Sequence, residues 1–236
     1  MPYLSDVQGP ALRQAGAKAG MSVATLLALS SVQRAVLLGI CSRIGLWAAR
    51  RSEFRLPIFD AVAAGKPVPL PARAVLLSGV FGLAGGALVV FLDAFVFRPA
   101  KALALNAGQP AAWKGFLASF YGGITEETFF RLFFLSLLVL GVRRLVLGRN
   151  SADRPLPWAA FWTLNAFVAV LFGLGHLPGT AALAPLTTNL VVRALVLNGV
   201  LALLFGELYR RWGFEMAIVA HFSADVALHV LPPLVG

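Results

Sequence analysis

The sequence is short of charge, and shorter still of acid. Only 13% of its 236 residues are charged, with 10 Asp and Glu against 20 Lys and Arg. A soluble domain carries about a quarter of its residues as charges, so this composition excludes one. Cysteine is nearly absent: the one residue, Cys41, rules out an intrachain disulfide and a cysteine-built zinc site. We read Cys41 as a packing residue. There are three histidines, none of them in an HExxH pair, so no two imidazoles share one helix face in the manner of a zinc protease. Residues 1–20 lack a small-residue cleavage site after an apolar stretch, and a removed signal peptide is not expected. No internal repeat is visible.

What is present is apolar. Hydrophobic residues make up 59% of the chain, and the mean hydropathy is +0.82. This composition predicts an integral, multi-pass membrane protein: an all-α polytopic bundle of about six transmembrane helices with its site inside the bundle. A span needs about 20 mostly apolar residues. Five segments meet that length, near 74–97, 117–141, 157–176, 185–208 and 214–233. A sixth, 21–49, is interrupted by Arg34 and Arg43, and reads either as a span with snorkelling ends or as an interfacial helix. The expected organisation is a loose or interfacial segment over 1–20, followed by a single membrane domain over 21–236.

The net charge of +10 raises the question of nucleic acid. The Lys and Arg residues, however, fall in short clusters between apolar runs, and no nucleic-acid partner is expected. The clusters are topology signals. Arg50, Arg51, Arg55, Lys66 and Arg73 lie in one loop, Arg143, Arg144, Arg149 and Arg154 in another, and Arg210 with Arg211 at a third turn. The positive-inside rule puts these three in the cytoplasm. The connections 98–116 and 177–186 then face the other side, and a bacterial inner (plasma) membrane is the expected location. The lipid bilayer and a membrane-associated protein or peptide substrate are the expected partners.

Charged groups inside spans cost roughly 2.5 to 3.5 kcal/mol each on insertion scales, so those that persist are functional by default. Glu126, Glu127 and Arg131 lie in one segment, His176 ends the next, and His221, Asp225 and His229 lie in the last. Asp93 and Arg193 also fall within spans. Glu127 and Arg131 are i, i+4 on one helix face, the spacing of a carboxylate–guanidinium pair. Glu126 is turned about 100° away and is free to titrate. His221 and Asp225 repeat the i, i+4 spacing, as do Phe172 and His176, where the ring can wall one side of the imidazole. Three helices thus offer polar groups to one interior site. All of them can lie in the half of the bilayer away from the arginine-rich loops.

Plainer readings stand beside this one. Glu127 with Arg131 can be a purely structural pair, Glu126 can be a partner of Arg193, and His176 can be an interfacial histidine satisfied by water. His229 belongs to no motif. Asp93 reads as interfacial or paired inside the bundle.

In their order along the chain these residues resemble the motifs of the CPBP family, the CAAX protease and bacteriocin-processing group of intramembrane proteases. "EETFFR" is similar to its EExxxR, "FGLGH" to its FxxxH and "HFSAD" to its HxxxN/D, within a motif-bearing core of about 74–232. The resemblance implies a glutamate-dependent intramembrane endopeptidase. Glu126 would activate water, with His176 sharing the proton or holding the water. Glu127 and Arg131 would support the site beside Phe172, and His221 and Asp225 would stabilise the oxyanion. The eukaryotic branch carries Asn where this chain has Asp225. An ionised Asp only accepts hydrogen bonds, so either Asp225 is protonated or it orients His221 as a cationic donor; we favour the second. No cofactor is expected, although Glu126, His176, His221 and Asp225 include zinc-ligating types. The alternatives are a non-proteolytic relative, such as an immunity or scaffold protein, and a proton-coupled transporter. A site facing away from the cytoplasm conflicts with prenylated cytosolic tails. It suits a sorting-type (myxosortase-like) member cleaving exported tails, unless the topology is inverted.

Overall fold

The computed structural model describes residues 2–97, 110–148 and 156–235, and every secondary-structure element in them is helical. Helix α1 (Pro2–Ala19) is followed by α2 (Val23–Ala49), a short α3 (Pro57–Ala63) and α4 (Ala72–Phe95). One long helical run then changes winding along its length. It begins as α5 (Ala112–Tyr121), widens into the π-helical segments π1 (Gly122–Glu126) and π2 (Thr128–Leu135), and tightens again as α6 (Ser136–Val146). Helices α7 (Trp158–Gly175), α8 (Leu177–Ala181), α9 (Thr188–Trp212) and α10 (Phe214–Asp225) come next, then a π-turn, π3 (Val226–Val230), and the closing α11 (Pro232–Val235).

Among the described residues, five helices are long and apolar enough to cross a membrane: Val23–Ala49, Ala72–Phe95, Trp158–Ala181, Thr188–Trp212 and Phe214–Leu234. The run from Ala112 to Val146 is a sixth long apolar element, divided by its π-helical turns. The chain is a multi-pass membrane protein with an all-α bundle fold. Segment 21–49, interrupted by two arginines, forms one unbroken helix from Val23 to Ala49, and Arg34 and Arg43, on opposite faces nine residues apart, are both exposed. The helix expected from 117 starts earlier, at Ala112, whereas residues 98–109 of the preceding connection lie outside the described residues, as do 149–155 with Arg149 and Arg154. The N-terminal segment expected over 1–20 is helical from Pro2 to Ala19, tied to α5 by Asp6 and the Lys114 Nζ at 2.6 Å.

Small residues set how closely the helices approach. A methyl group at Gly82 would collide with the Ala220 carbonyl, and one at Gly86 would sit 2.7 Å from the Ala224 carbonyl oxygen. The α4–α10 seam is therefore a small-residue contact of the kind that replaces hydrophobic drive inside a bilayer. It holds the α10 segment carrying His221 and Asp225 against α4. On the opposite flank Gly45 of α2 packs on the Leu132 backbone, where an added Cβ would lie 2.6 Å from the carbonyl oxygen. The helix carrying Glu126 and Arg131 is thereby pressed from outside the core.

At the end that carries the arginine-rich loops the chain is stapled by backbone and carboxylate. Gly213, at φ 105°, makes the tight α9–α10 turn in a conformation that L side chains avoid. Phe214 then donates its N–H to the Arg55 carbonyl. The Glu215 Oε1 accepts from the Ile58 and Phe59 N–H groups at 2.8 and 2.9 Å, satisfying the orphan donors that open α3. Between the ends, Phe161, Phe205, Tyr209, Phe214, Leu132 and Leu135 form a buried core.

Candidate active site

A π-helical winding runs through the segment that carries the two adjacent glutamates. Inserted π-turns are rare and gather at functional sites because they reset the angular phase of the side chains after them. Here the Ser136 hydroxyl donates to the Arg131 carbonyl, five residues back, at 3.1 Å, and the Thr128 hydroxyl donates to the Ile124 carbonyl at 2.7 Å. The Glu127 side chain is fully buried, while the Glu126 side chain, 29% exposed, faces a cavity. Neighbours in sequence thus occupy different environments.

Glu127 is the hub of the buried side. Its Oε1 accepts from the His221 Nδ1 at 2.7 Å and lies 3.1 Å from the Arg131 Nη1. The second contact is an ion pair without hydrogen-bond alignment, since Nη1 has no hydrogen-bond partner among the described residues. Arg131 is completely buried; its Nη2 donates to the Ala202 carbonyl at 2.9 Å, and its guanidinium lies over the Phe172 and Phe205 rings at 4.9 and 5.4 Å. The buried cation thus has a carboxylate, a carbonyl and two aromatic faces around it, while its Nε and Nη1 make no hydrogen bond among the described residues.

Two imidazoles converge on Glu126. Its Oε2 lies 3.8 Å from the His176 Nε2 and 3.9 Å from the His221 Nε2. The His176 Nδ1 is 2.8 Å from the Phe172 carbonyl, which can only accept, so Nδ1 carries the proton and Nε2 is turned to the cavity. The Phe172 ring lies against His176 at 4.7 Å, and Phe205 stacks on His221 at 4.6 Å and 16°. Asp225 completes the group, its Oδ2 3.7 Å from the His221 Nε2. Separations near 3.8 Å are too long for direct hydrogen bonds and suit one water held among the three groups. At Gly122 an added Cβ would lie 2.5 Å from the Asp225 Oδ2, so only glycine leaves that carboxylate its place.

The cavity itself measures about 660 Å³, and its walls are mostly apolar. It lies in the half of the bundle opposite Gly213, among the last turns of α4, the first of α5 and α9, and the π3 turn. His229 is one of its lining residues. Asp93 and Arg193 meet there in a bidentate pair at 2.6 and 2.8 Å.

The structure therefore brings together Glu126, His176, His221 and Asp225, with Glu127, Arg131 and Phe172 directly behind them. Arg193 is engaged by Asp93, which removes the alternative reading of Glu126 as its partner. The structure differs from the sequence reading in one pairing. The hydrogen bond that orients His221 comes from Glu127 rather than Asp225, because Glu127 meets Nδ1 while Asp225 stands off Nε2. Phe205, Asn198 and Lys114 also line the cavity and had no sequence signal, since each stands alone in an apolar or loop segment. The glycine pair ahead of Glu126 was the available clue to Asp225, as glycine marks close approach. Among the described residues no three His, Cys, Asp or Glu side chains are placed to hold a metal ion.

A carboxylate and two histidines thus meet around one cavity inside a polytopic membrane bundle, backed by a buried Glu–Arg pair. A family model described as type II CAAX prenyl endopeptidase Rce1-like matches residues 108–227, which takes in all three motifs. The chain belongs to this Rce1-like family of CAAX-type intramembrane proteases. No curated protein and no solved structure matched it.

Proposed function

We propose that this protein is an active intramembrane endopeptidase that cleaves a membrane-associated peptide, near the end of its chain, with a water activated by Glu126. The observation that carries this reading is the Glu126 Oε2 facing the His176 and His221 Nε2 atoms at 3.8 and 3.9 Å across one cavity. Glu126 takes a proton from the water, and the hydroxide adds to the scissile carbonyl carbon. The oxyanion accepts a hydrogen bond from the His221 Nε2–H. That donation requires the doubly protonated ring, whose charge Glu127 and Asp225 offset from either side. Collapse breaks the C–N bond, and the proton held by Glu126 passes to the leaving amine, directly or through His176. Aromatic walls and a mostly apolar cavity exclude bulk water from these steps and suit a hydrophobic substrate segment.

The cavity lies in the half of the bundle away from Gly213 and the arginine-rich loops. With those loops cytoplasmic, the site meets substrates from the outer side of a bacterial inner membrane. This favours an exported protein with a hydrophobic C-terminal tail over the prenylated tails named in the family description. The test is cleavage of such tail substrates, and of a prenylated CAAX peptide, by wild type beside Glu126→Ala, His176→Ala and His221→Ala. Loss of cleavage in all three variants is expected. Undiminished cleavage in all three would overturn the mechanism, and cleavage of the prenylated peptide alone would overturn the assignment of substrate.

A further inference from the structure

A second polar site lies on the outer surface of the bundle, at the opposite end from the catalytic cavity. Arg43, Leu46, Trp47, Arg50 and Arg51 at the end of α2 line an open groove of about 520 Å³. Arg144 of α6 joins it: the guanidinium groups of Arg51 and Arg144 lie 5.0 and 5.7 Å from the Trp47 ring centre. Arg50 is held by Asp60 through Nε and Nη2 at 3.1 and 2.9 Å. Asp60 is the one carboxylate that the described residues place against these four arginines. Arg43, Arg51 and Arg144 are exposed.

We propose that this groove binds the headgroup of an anionic phospholipid. Two observations favour a lipid over a free anion. Arg43 stands two turns before Arg50, roughly 10 Å deeper along the helix axis, so the cations span the depth over which a headgroup and its glycerol lie. Below them Val32, Val36 and Ile40 continue the same helix face at i, i+4 spacing, each more than half exposed, and form an apolar track for an acyl chain. A tryptophan between arginines at the end of a span is chemistry suited to the bilayer interface, and basic pockets between transmembrane helices hold anionic headgroups. The site also has a mechanical consequence. A lipid bridging α2 and α6 clamps α2 onto the helix that carries Glu126 and Arg131, through the close contact of Gly45 with Leu132.

The test uses the full chain in a zwitterionic detergent, with phosphatidylglycerol or phosphatidylcholine added in mixed micelles. The readouts are thermal unfolding and native mass spectrometry. Phosphatidylglycerol at about 100 times its Kd should raise Tm by roughly 5 °C or more, and phosphatidylcholine should not. One phosphatidylglycerol should remain bound in the mass spectrum. Arg43→Gln and Arg144→Gln should each weaken retention several-fold, and Arg43→Lys should restore part of it. Arg211→Gln, an exposed arginine at the same end but outside the groove, should retain the lipid like wild type. Equal shifts with both lipids, or retention unchanged in both groove variants, would overturn the proposal. An equal shift with inorganic phosphate or glycerol phosphate would replace the lipid by a free anion and overturn it as well.

Discussion

The Nδ1 of His221 donates to the Oε1 of Glu127 at 2.7 Å across two helices that are 94 residues apart in sequence. The same carboxylate faces Arg131, so one fully buried glutamate fixes the ring of one site histidine and compensates a buried cation. The adjacent Glu126 touches neither the arginine nor the Nδ1 of His221 and is left facing the cavity. The proposed base and the buried scaffold are thus separate residues, and each can be removed without the other.

Glu126→Gln keeps the shape of the side chain and removes the base. Cleavage should fall by about 10² to 10⁴-fold, the contribution of a positioned general base. The thermal melt of the detergent-solubilised protein should stay close to wild type. A variant that cleaves at the wild-type rate would remove Glu126 from the chemistry.

Glu127→Ala should behave in the opposite order, with folding lost before chemistry can be assessed. It leaves a completely buried guanidinium without its counter-ion, a change that costs about 3 to 5 kcal/mol in buried pairs. Chemical unfolding in mild detergent measures this. The double variant Glu127→Leu with Arg131→Met should recover much of the stability while remaining inactive, because His221 still lacks its orienting partner.

Gly122→Ala tests the place of Asp225. The new methyl group would lie 2.5 Å from the Asp225 Oδ2, so the carboxylate must move and the His221 Nε2 loses its neighbour. We expect kcat to fall by more than tenfold with KM little changed, since the methyl group acts on the reacting end of the cavity. Unchanged kcat would mean that the position of Asp225 is immaterial.

Addition of a strong chelator to the cleavage assay should leave the rate within twofold of the untreated enzyme, as expected for carboxylate-activated water. Loss of activity that zinc restores would overturn the glutamate-only mechanism.

Reporter fusions after Gly179 and after Gly65 check the orientation. Gly179 lies three residues past His176 at the cavity end, and Gly65 lies in the arginine-rich connection. The Gly179 fusion should report a non-cytoplasmic location and the Gly65 fusion a cytoplasmic one. The reverse result would turn the cavity towards the cytoplasm and favour cytosolic tails.

Much of this was legible in the sequence because insertion into a bilayer is governed by local composition. Twenty apolar residues make a span whatever they later touch, and the charges between them carry the orientation. The segments near 74–97, 157–176, 185–208 and 214–233 each match a helix within a few residues. Helical spacing paired Glu127 with Arg131 and separated Glu126 from both. The π-winding of 122–135 was not legible, because GGITE and TFFRLFFL carry no local signal that distinguishes a wide turn from an ordinary one.

By itself, then, the sequence determined the membrane class, the order of the helices and which few polar groups lie inside them, all properties of short stretches of chain. Tertiary structure decided the partners: Asp93 for Arg193, Glu127 for His221, and the glycine seam that brings α10 against α4. A carboxylate has no preferred partner until packing sets its distances, and within a low-dielectric bundle a difference of about one ångström decides which charge is paired and which is left to react.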